Sequence, residues 1–319
     1  MKVKIQITLL ILFVSLQLAG QSNIRFNSFW DNLYTINPAA INDTYLGELS
    51  MGTRKQWVNF PGSPATIFAA GTVYVEDLYT QFGIKVLADK IGYTATTDID
   101  LSYAYAIYLN TDWQLNLGLS ASFQMLAYDA GKINYQTPND PVAYEKYLTE
   151  NNMNADLGFE FSHHAWRIGA SSQNILSLFK GMKINDLHAN TNMAYAMFKS
   201  NENPFVNLGG GICGIHYYGI FPPQTAGNIE TKTSSNFQAE MNVTAFFKRT
   251  TENNAFQVGA FYRTWHEMGL LFGIHFDKFR VYYSYDFNLG EIYRKSLGTH
   301  EIMLAYKLNR TFKCRNCWY

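Results

Sequence analysis

From Trp113 to Met125 the sequence alternates without a break. Trp113, Leu115, Leu117, Leu119, Ala121, Phe123 and Met125 share one parity; Gln114, Asn116, Gly118, Ser120, Ser122 and Gln124 share the other. Side chains alternate faces along a strand, so this is a two-faced strand and not a helix. A sheet with one apolar and one polar face, repeated along a chain, is how a transmembrane β-barrel is written.

The pattern recurs. Ile99, Leu101, Tyr103, Tyr105, Ile107 and Leu109 oppose Asp98, Asp100 and Ser102. Met153, Ala155, Leu157, Phe159 and Phe161 oppose Asn154, Asp156 and Glu160. Phe237 to Phe247 and Phe279 to Phe287 repeat it. Strands are predicted near 47–57, 65–76, 80–88, 98–110, 112–126, 153–162, 165–172, 190–199, 204–216, 235–248, 254–264, 267–276, 278–287 and 299–309, about fourteen in all. Asn110-Thr111, Ser162-His163-His164 and Asp277-Lys278 read as tight turns, which require antiparallel neighbours. The longer connections fall near 127–152, 173–189 and 217–234. In such a barrel long loops lie outside the cell and short turns in the periplasm.

Composition agrees. Charged residues are 16%, against roughly 25% in average soluble chains. Aromatics are also 16%, which suits interfacial girdles. Basic and acidic residues balance at 25 each, with no basic stripe for nucleic acid. Lys2 and Lys4, the apolar run Ile5 to Leu18 and Ala19-Gly20 read as a signal peptide over 1–20. The expected organisation is that signal, an irregular lead-in over 21–45, an antiparallel up-and-down barrel over 46–310 and a basic, Cys-containing tail over 311–319.

Reactive constellations are few. His163 and His164 are neighbours, and neighbours on a strand point to opposite faces, so they do not share one ion. Cys314 and Cys317 could form a terminal disulfide or stay surface thiols; a zinc site would need a second pair, and Cys213 stands alone. Gly209-Gly210-Gly211 lacks the following helix of a phosphate loop and reads as a bend or close packing. Ser284 and His300 are the pair a barrel hydrolase would need, and nothing in their spacing supports one. Arg54, Arg263, Arg280, Arg294, Asp286 and Glu301 sit on or near strands, either as a lumenal ion-pair network or as a surface receiving a partner peptide. Bulky Tyr108, Phe246, Phe261, Tyr282 and Met303 fall on otherwise polar faces and could fill the lumen. No cofactor or metal is expected.

Several motifs occur in a telling order: Asn37-Pro38-Ala39; Arg54-Lys55-Gln56-Trp57 followed by Phe60-Pro61-Gly62-Ser63-Pro64; Ser284-Tyr285-Asp286-Phe287; Gly298-Thr299-His300-Glu301; and Lys313-Cys314. Together they resemble the PorP/SprF family of outer-membrane proteins tied to type IX secretion in Bacteroidetes. The tail departs from the family's single Cys followed by Pro, since Cys317 and Trp318 stand there. The resemblance implies a non-enzymatic barrel in the outer-membrane lipid. It implies a role in secretion, gliding or anchoring of a surface adhesin through its C-terminal sorting domain, with periplasmic lipoprotein partners. A passive porin or hydrophobic-solute transporter is the rival expectation. Arg54, Trp57, Phe60, Pro61, Gly62, Pro64, Asp286, His300 and Glu301 are the partner-binding or motif candidates. Arg54 and Trp57 are the expected anchors of a docking loop, whose plainer reading is a periplasmic turn with an interfacial Trp.

Overall fold

The computed structural model describes residues 25–128, 150–179, 190–200, 202–221, 232–248, 254–264, 267–289 and 296–308. Fourteen strands form one closed antiparallel barrel. They are β1 (Gly47–Lys55), β2 (Ala65–Val75), β3 (Thr80–Ile91), β4 (Thr94–Tyr108), β5 (Gln114–Tyr128), β6 (Glu150–Ser162) and β7 (Trp166–Gln173). Then come β8 (Asn190–Lys199), β9 (Val206–Phe221), β10 (Lys232–Lys248), β11 (Asn254–Arg263), β12 (Glu267–Phe276), β13 (Phe279–Asn288) and β14 (Thr299–Leu308). Each strand pairs with its sequence neighbour, and β1 closes on β14 from Gly47↔Leu308 to Lys55↔His300. Closure leaves no unpaired edge, the condition for crossing a bilayer with strands. No helix of the described residues is long and apolar enough to cross a membrane.

The alternation on β5 is realised as two faces. Gln114, Asn116, Ser120, Ser122 and Gln124 are buried inward, while Leu117 and Leu119 lie exposed on the outer wall. Sequence reasoning underestimates β3 and β4. They continue to a two-residue turn at Gly92-Tyr93, where Gly92 takes φ 58°. The run Thr94-Ala95-Thr96-Thr97 carries too little apolar contrast to announce itself as strand.

Successive strands reverse direction, so the connections sort onto two rims. One rim carries the strand ends that bound 76–79, 109–113, 163–165, 200–205, 249–253 and 277–278, all short spans, together with the start of β1 and the end of β14. On the other lie the strand ends that bound 56–64, 129–149, 174–189, 222–231 and 289–298, besides two tight turns. Long loops mark the extracellular rim and short turns the periplasmic one.

The described residues before β1 do not lie outside the barrel. Arg25 to Leu46 runs through the lumen with two 3-10 turns, Asn27–Trp30 and Leu33–Thr35. Phe29, Trp30, Leu33, Ile36 and Ala40 form a buried cluster with Met193, Tyr195 and Met197 of β8 and Cys213, Ile215 and Tyr217 of β9. Phe26 and Tyr34 pack with Phe68, Tyr282 and Met303; Ile41 packs with Tyr74, Ala104 and Ala106. The inward bulky residues expected to fill the barrel are there, but the N-terminal segment does most of the filling. That segment has no period of two, so its own pattern says nothing of where it packs.

Candidate functional site

Two clusters hold the plug, one near each rim. Near the extracellular rim, Glu301 of β14 accepts hydrogen bonds from the backbone N–H groups of Asn27 and Ser28, both at 2.8 Å. Arg54 of β1 bridges Asp286 at 2.8 Å and Glu301 at 3.1 Å. Asn27 donates its side-chain amide to Ser284 at 2.9 Å and to Asp286 at 2.5 Å. Arg263 of β11 binds Glu240 at 2.8 Å and Glu267 at 2.5 Å, and donates to the Asn27 side-chain oxygen at 2.8 Å. Arg25 and the Trp30 indole both donate to Glu240, at 2.8 and 2.6 Å. Buried charges are tolerated only when paired in this way.

Near the periplasmic rim the fit is one of shape. Gly118 of β5 and Gly158 of β6 are register partners on the inward face. A Cβ on Gly118 would collide with the backbone of Pro38 and Ala39, and one on Gly158 with the Asn37 side chain. The paired glycines thus cut a notch that seats Asn37-Pro38-Ala39. Asn37 folds back to accept from the Ala39 N–H at 2.9 Å, a local turn typical of Asn. Its amide donates to the Phe159 carbonyl at 3.1 Å and to Tyr195 at 3.0 Å. Tyr195 donates to Glu160 at 2.5 Å, and Arg167 donates to Glu160 at 2.5 Å and to the Ile41 carbonyl at 2.9 Å. The wall also satisfies other plug backbone groups. Ser171 and Gln173 donate to the Ile36 carbonyl, at 2.7 and 3.1 Å, and Gln81 donates to that of Ala40 at 3.2 Å. An irregular chain can cross a lumen only if its peptide groups find such partners.

The structure divides the sequence candidates. Arg54, Asp286 and Glu301 come together, inward and buried, as a grip on the plug. The expectation that Arg54 anchors a partner on the loop is therefore corrected: its guanidinium is committed inside the lumen. His300 points to the outer side of the wall, where Tyr283 lies 2.7 Å from its ring nitrogen. Ser284 is inward and bonded to Asn27, so Ser284 and His300 stand on opposite faces and make no nucleophile–base pair. His163 and His164 lie in the β6–β7 turn; His163 packs on Trp113 and His164 faces Asp112 at 3.8 Å. Arg294, Cys314 and Cys317 lie outside the described residues.

Trp57, Phe60, Pro61, Gly62 and Pro64 form the β1–β2 connection. It sits on the rim that carries the longer connections, which the loop-length rule assigns to the outside and not to the periplasm. Phe60 N–H donates to Trp57 and Ser63 N–H to Phe60, at 3.0 and 3.1 Å. Val58 N–H donates to Gly298 at 2.9 Å, Leu297 N–H returns to Val58 at 3.0 Å, and Gly92 N–H donates to Gly62 at 3.0 Å. Left-handed backbone at Trp57, Asn59 and Gly62 (φ 49°, 70° and 73°) makes the loop double back. Phe60 meets Trp57 edge-on at 6.5 Å and remains 41% exposed. Ile91 at the end of β3, and Tyr93 and Leu297 on the neighbouring connections, are exposed beside it.

Sequence reasoning missed Glu240 as part of the first cluster, and Glu160, Arg167 and the Gly118–Gly158 pair as parts of the second. The available signal was a charged or glycine residue at an inward parity.

The family model described as type IX secretion system membrane protein PorP/SprF matches residues 18–306. The chain belongs to that family. No curated protein sequence matches it. Among solved structures, the PorP/SprF barrel is similar to the toluene transporter TodX of Pseudomonas putida, with 8% identity, TM-score 0.50, and 91% of this chain and 95% of that one covered. It also matches a FadL homologue of Pseudomonas aeruginosa (11% identity, 86% and 93% covered, TM-score 0.47). A third match is outer membrane protein Omp33 of Acinetobacter baumannii (11%, 83% and 98%, TM-score 0.44). At such identities the likeness to TodX shows the fold alone. Fold and family together place this PorP/SprF member in the outer membrane as a membrane protein of type IX secretion.

Proposed function

We propose that this PorP/SprF barrel is a sealed, non-enzymatic docking platform. At its extracellular rim it holds a secreted surface protein by that protein's C-terminal sorting domain. At its periplasmic rim it meets a lipoprotein of the secretion or gliding machinery, in a Bacteroidetes outer membrane. The observation that carries the reading is the division of labour around Arg54. The barrel spends Arg54, Asp286 and Glu301 on keeping its lumen filled, while the hydrogen-bonded loop beyond them exposes Phe60 with the half-buried Trp57 packed edge-on against it. Aromatic anchors in a preformed shape dominate binding hot spots. The plug and its ion pairs take up lumen that a solute path would use, which supports docking over transport.

Replacing Trp57 and Phe60 together by Ala, with Arg54 retained, tests the platform. Barrel assembly should persist, measured by heat-modifiable mobility. Display of the surface protein on intact cells should fall at least about tenfold, the weight of one lost hot spot. Normal display from a normally assembled double variant would refute the docking role. Large, stable conductance steps from the wild-type barrel in planar bilayers would favour the transporter instead.

A further inference from the structure

On most of the barrel the outward positions are apolar. On β7 to β10 the rule breaks. Ser172, Asn190, Asn192, His216 and Ser235 fall on the outward parity, Asn190 itself buried, and are hydrogen-bonded along β8 and across to neighbouring strands. Asn190 donates to Ser172 at 3.1 Å, Asn192 donates to Asn190 at 2.7 Å, and the His216 ring nitrogen lies 2.8 Å from Ser235. The strip lies at the long-loop end of β7 and β8, beside Gln173 and Asn190, while β9 runs past it to Phe221 and β10 begins beyond it at Lys232. A polar row at the end of an apolar outer wall stands at the level where a lipid's linkage groups meet the protein.

Directly periplasmic of the strip the outer wall is dented. A groove of about 980 Å³ opens outward there. Its floor is made of small residues (Gly158, Ala170, Ala194 and Gly214), and Tyr105, Leu119, Leu157, Phe159 and Phe237 are among its walls. The dent is the back of the notch that seats the plug, since Gly118 and Gly158 line both.

We propose that this groove binds an outer-leaflet lipid, with its acyl chains in the dent and its linkage carbonyls or hydroxyls on Ser172, Asn192 and His216. The polarity of the groove matches a lipid standing in the outer leaflet, polar end toward the long loops and apolar end toward the bilayer centre. An apolar concavity that opens onto hydrocarbon is filled by acyl chain. No Lys or Arg lines the groove, so the contact is with uncharged acyl linkages and not with phosphate. By valence count, Ser172 keeps its hydroxyl proton and Asn192 one amide proton after the bonds named above.

The test compares diacyl phosphatidylethanolamine with its dialkyl-ether analogue, which has the same chains and head but no linkage carbonyls. The purified full-length barrel is exchanged into each, stripped stepwise with detergent, and weighed by native mass spectrometry. The wild type should retain the diacyl lipid about fivefold better, the factor one net hydrogen bond supplies. Asn192→Leu with His216→Leu should lower diacyl retention to the ether level. These changes remove polar groups from a lipid face and should not hinder assembly. Ala194→Trp, which fills the floor, provides a second variant and should lower retention of both lipids. Equal retention of the two lipids by the wild type would overturn the proposal, as would unchanged retention in the variants. So would a protein chain co-purifying in one-to-one amount and lost with the same substitutions.

Discussion

β5 and the Cys213–Tyr217 stretch of β9 obey the same period of two with opposite sign. On β5 the inward residues are Gln114, Asn116, Ser120, Ser122 and Gln124, and leucines face out. On β9 the inward residues are Cys213, Ile215 and Tyr217, with His216 outward. A water-filled lumen would not permit the second arrangement. What each wall faces explains both. The β5 side meets the backbone of Pro38-Ala39 and a polar network, whereas the β8–β9 side meets Phe29, Trp30, Leu33 and Ile36. The lumen wall is therefore matched to the plug and not to solvent.

The comparison can be broken most forcefully on the polar side. Arg263→Leu leaves Glu240 and Glu267 buried without their main counter-charge, which should cost about 3–5 kcal/mol. Urea unfolding of the refolded barrel would show it, and planar-bilayer recordings should show new conductance as the plug loosens. A change within about 0.5 kcal/mol would mean the cluster is solvated and the lumen open.

On the apolar side, Ile215→Ala should cost about 2–4 kcal/mol, because Ile215 is fully buried against the plug. Ile215→Asn sharpens the point. It would be neutral or stabilising if β9 faced water, and it should instead destabilise by about 1–3 kcal/mol for an unpaired buried amide. The same denaturant midpoints decide between the two.

Gly118→Val should cost about 1–3 kcal/mol by overpacking against Pro38 and Ala39. Protease protection of the plug residues in the assembled barrel should fall with it. Unchanged protection would mean that Asn37-Pro38-Ala39 does not need the notch. The smallest effect is expected at Ile212→Ala on the outward face of β9, where the side chain is 63% exposed to the outer side. Its midpoint should stay within about 0.5 kcal/mol of the wild type. A loss as large as that of Ile215→Ala would reverse the assignment of faces on this strand.

The sequence by itself determined the strands, their faces on β4, β5, β6, β10 and β13, and the antiparallel order. Period-two alternation and tight turns are local, so each strand reports its own state within about a dozen residues. It also brought out Arg54, Asp286 and Glu301 as charges on strands, because charge within a two-faced strand stands out wherever it occurs. Only the tertiary structure decided that these three hold Asn27 and Ser28, that Asn37-Pro38-Ala39 seats against Gly118 and Gly158, and that the β1–β2 loop belongs to the rim that carries the longer connections. Asn27 and Glu301 are 274 residues apart, and Asn37 and Tyr195 are 158 apart. Neither the plug nor its partners carry a period that links them. Closure of the barrel brings them together, and the need of buried peptide groups and charges for partners fixes which ones meet.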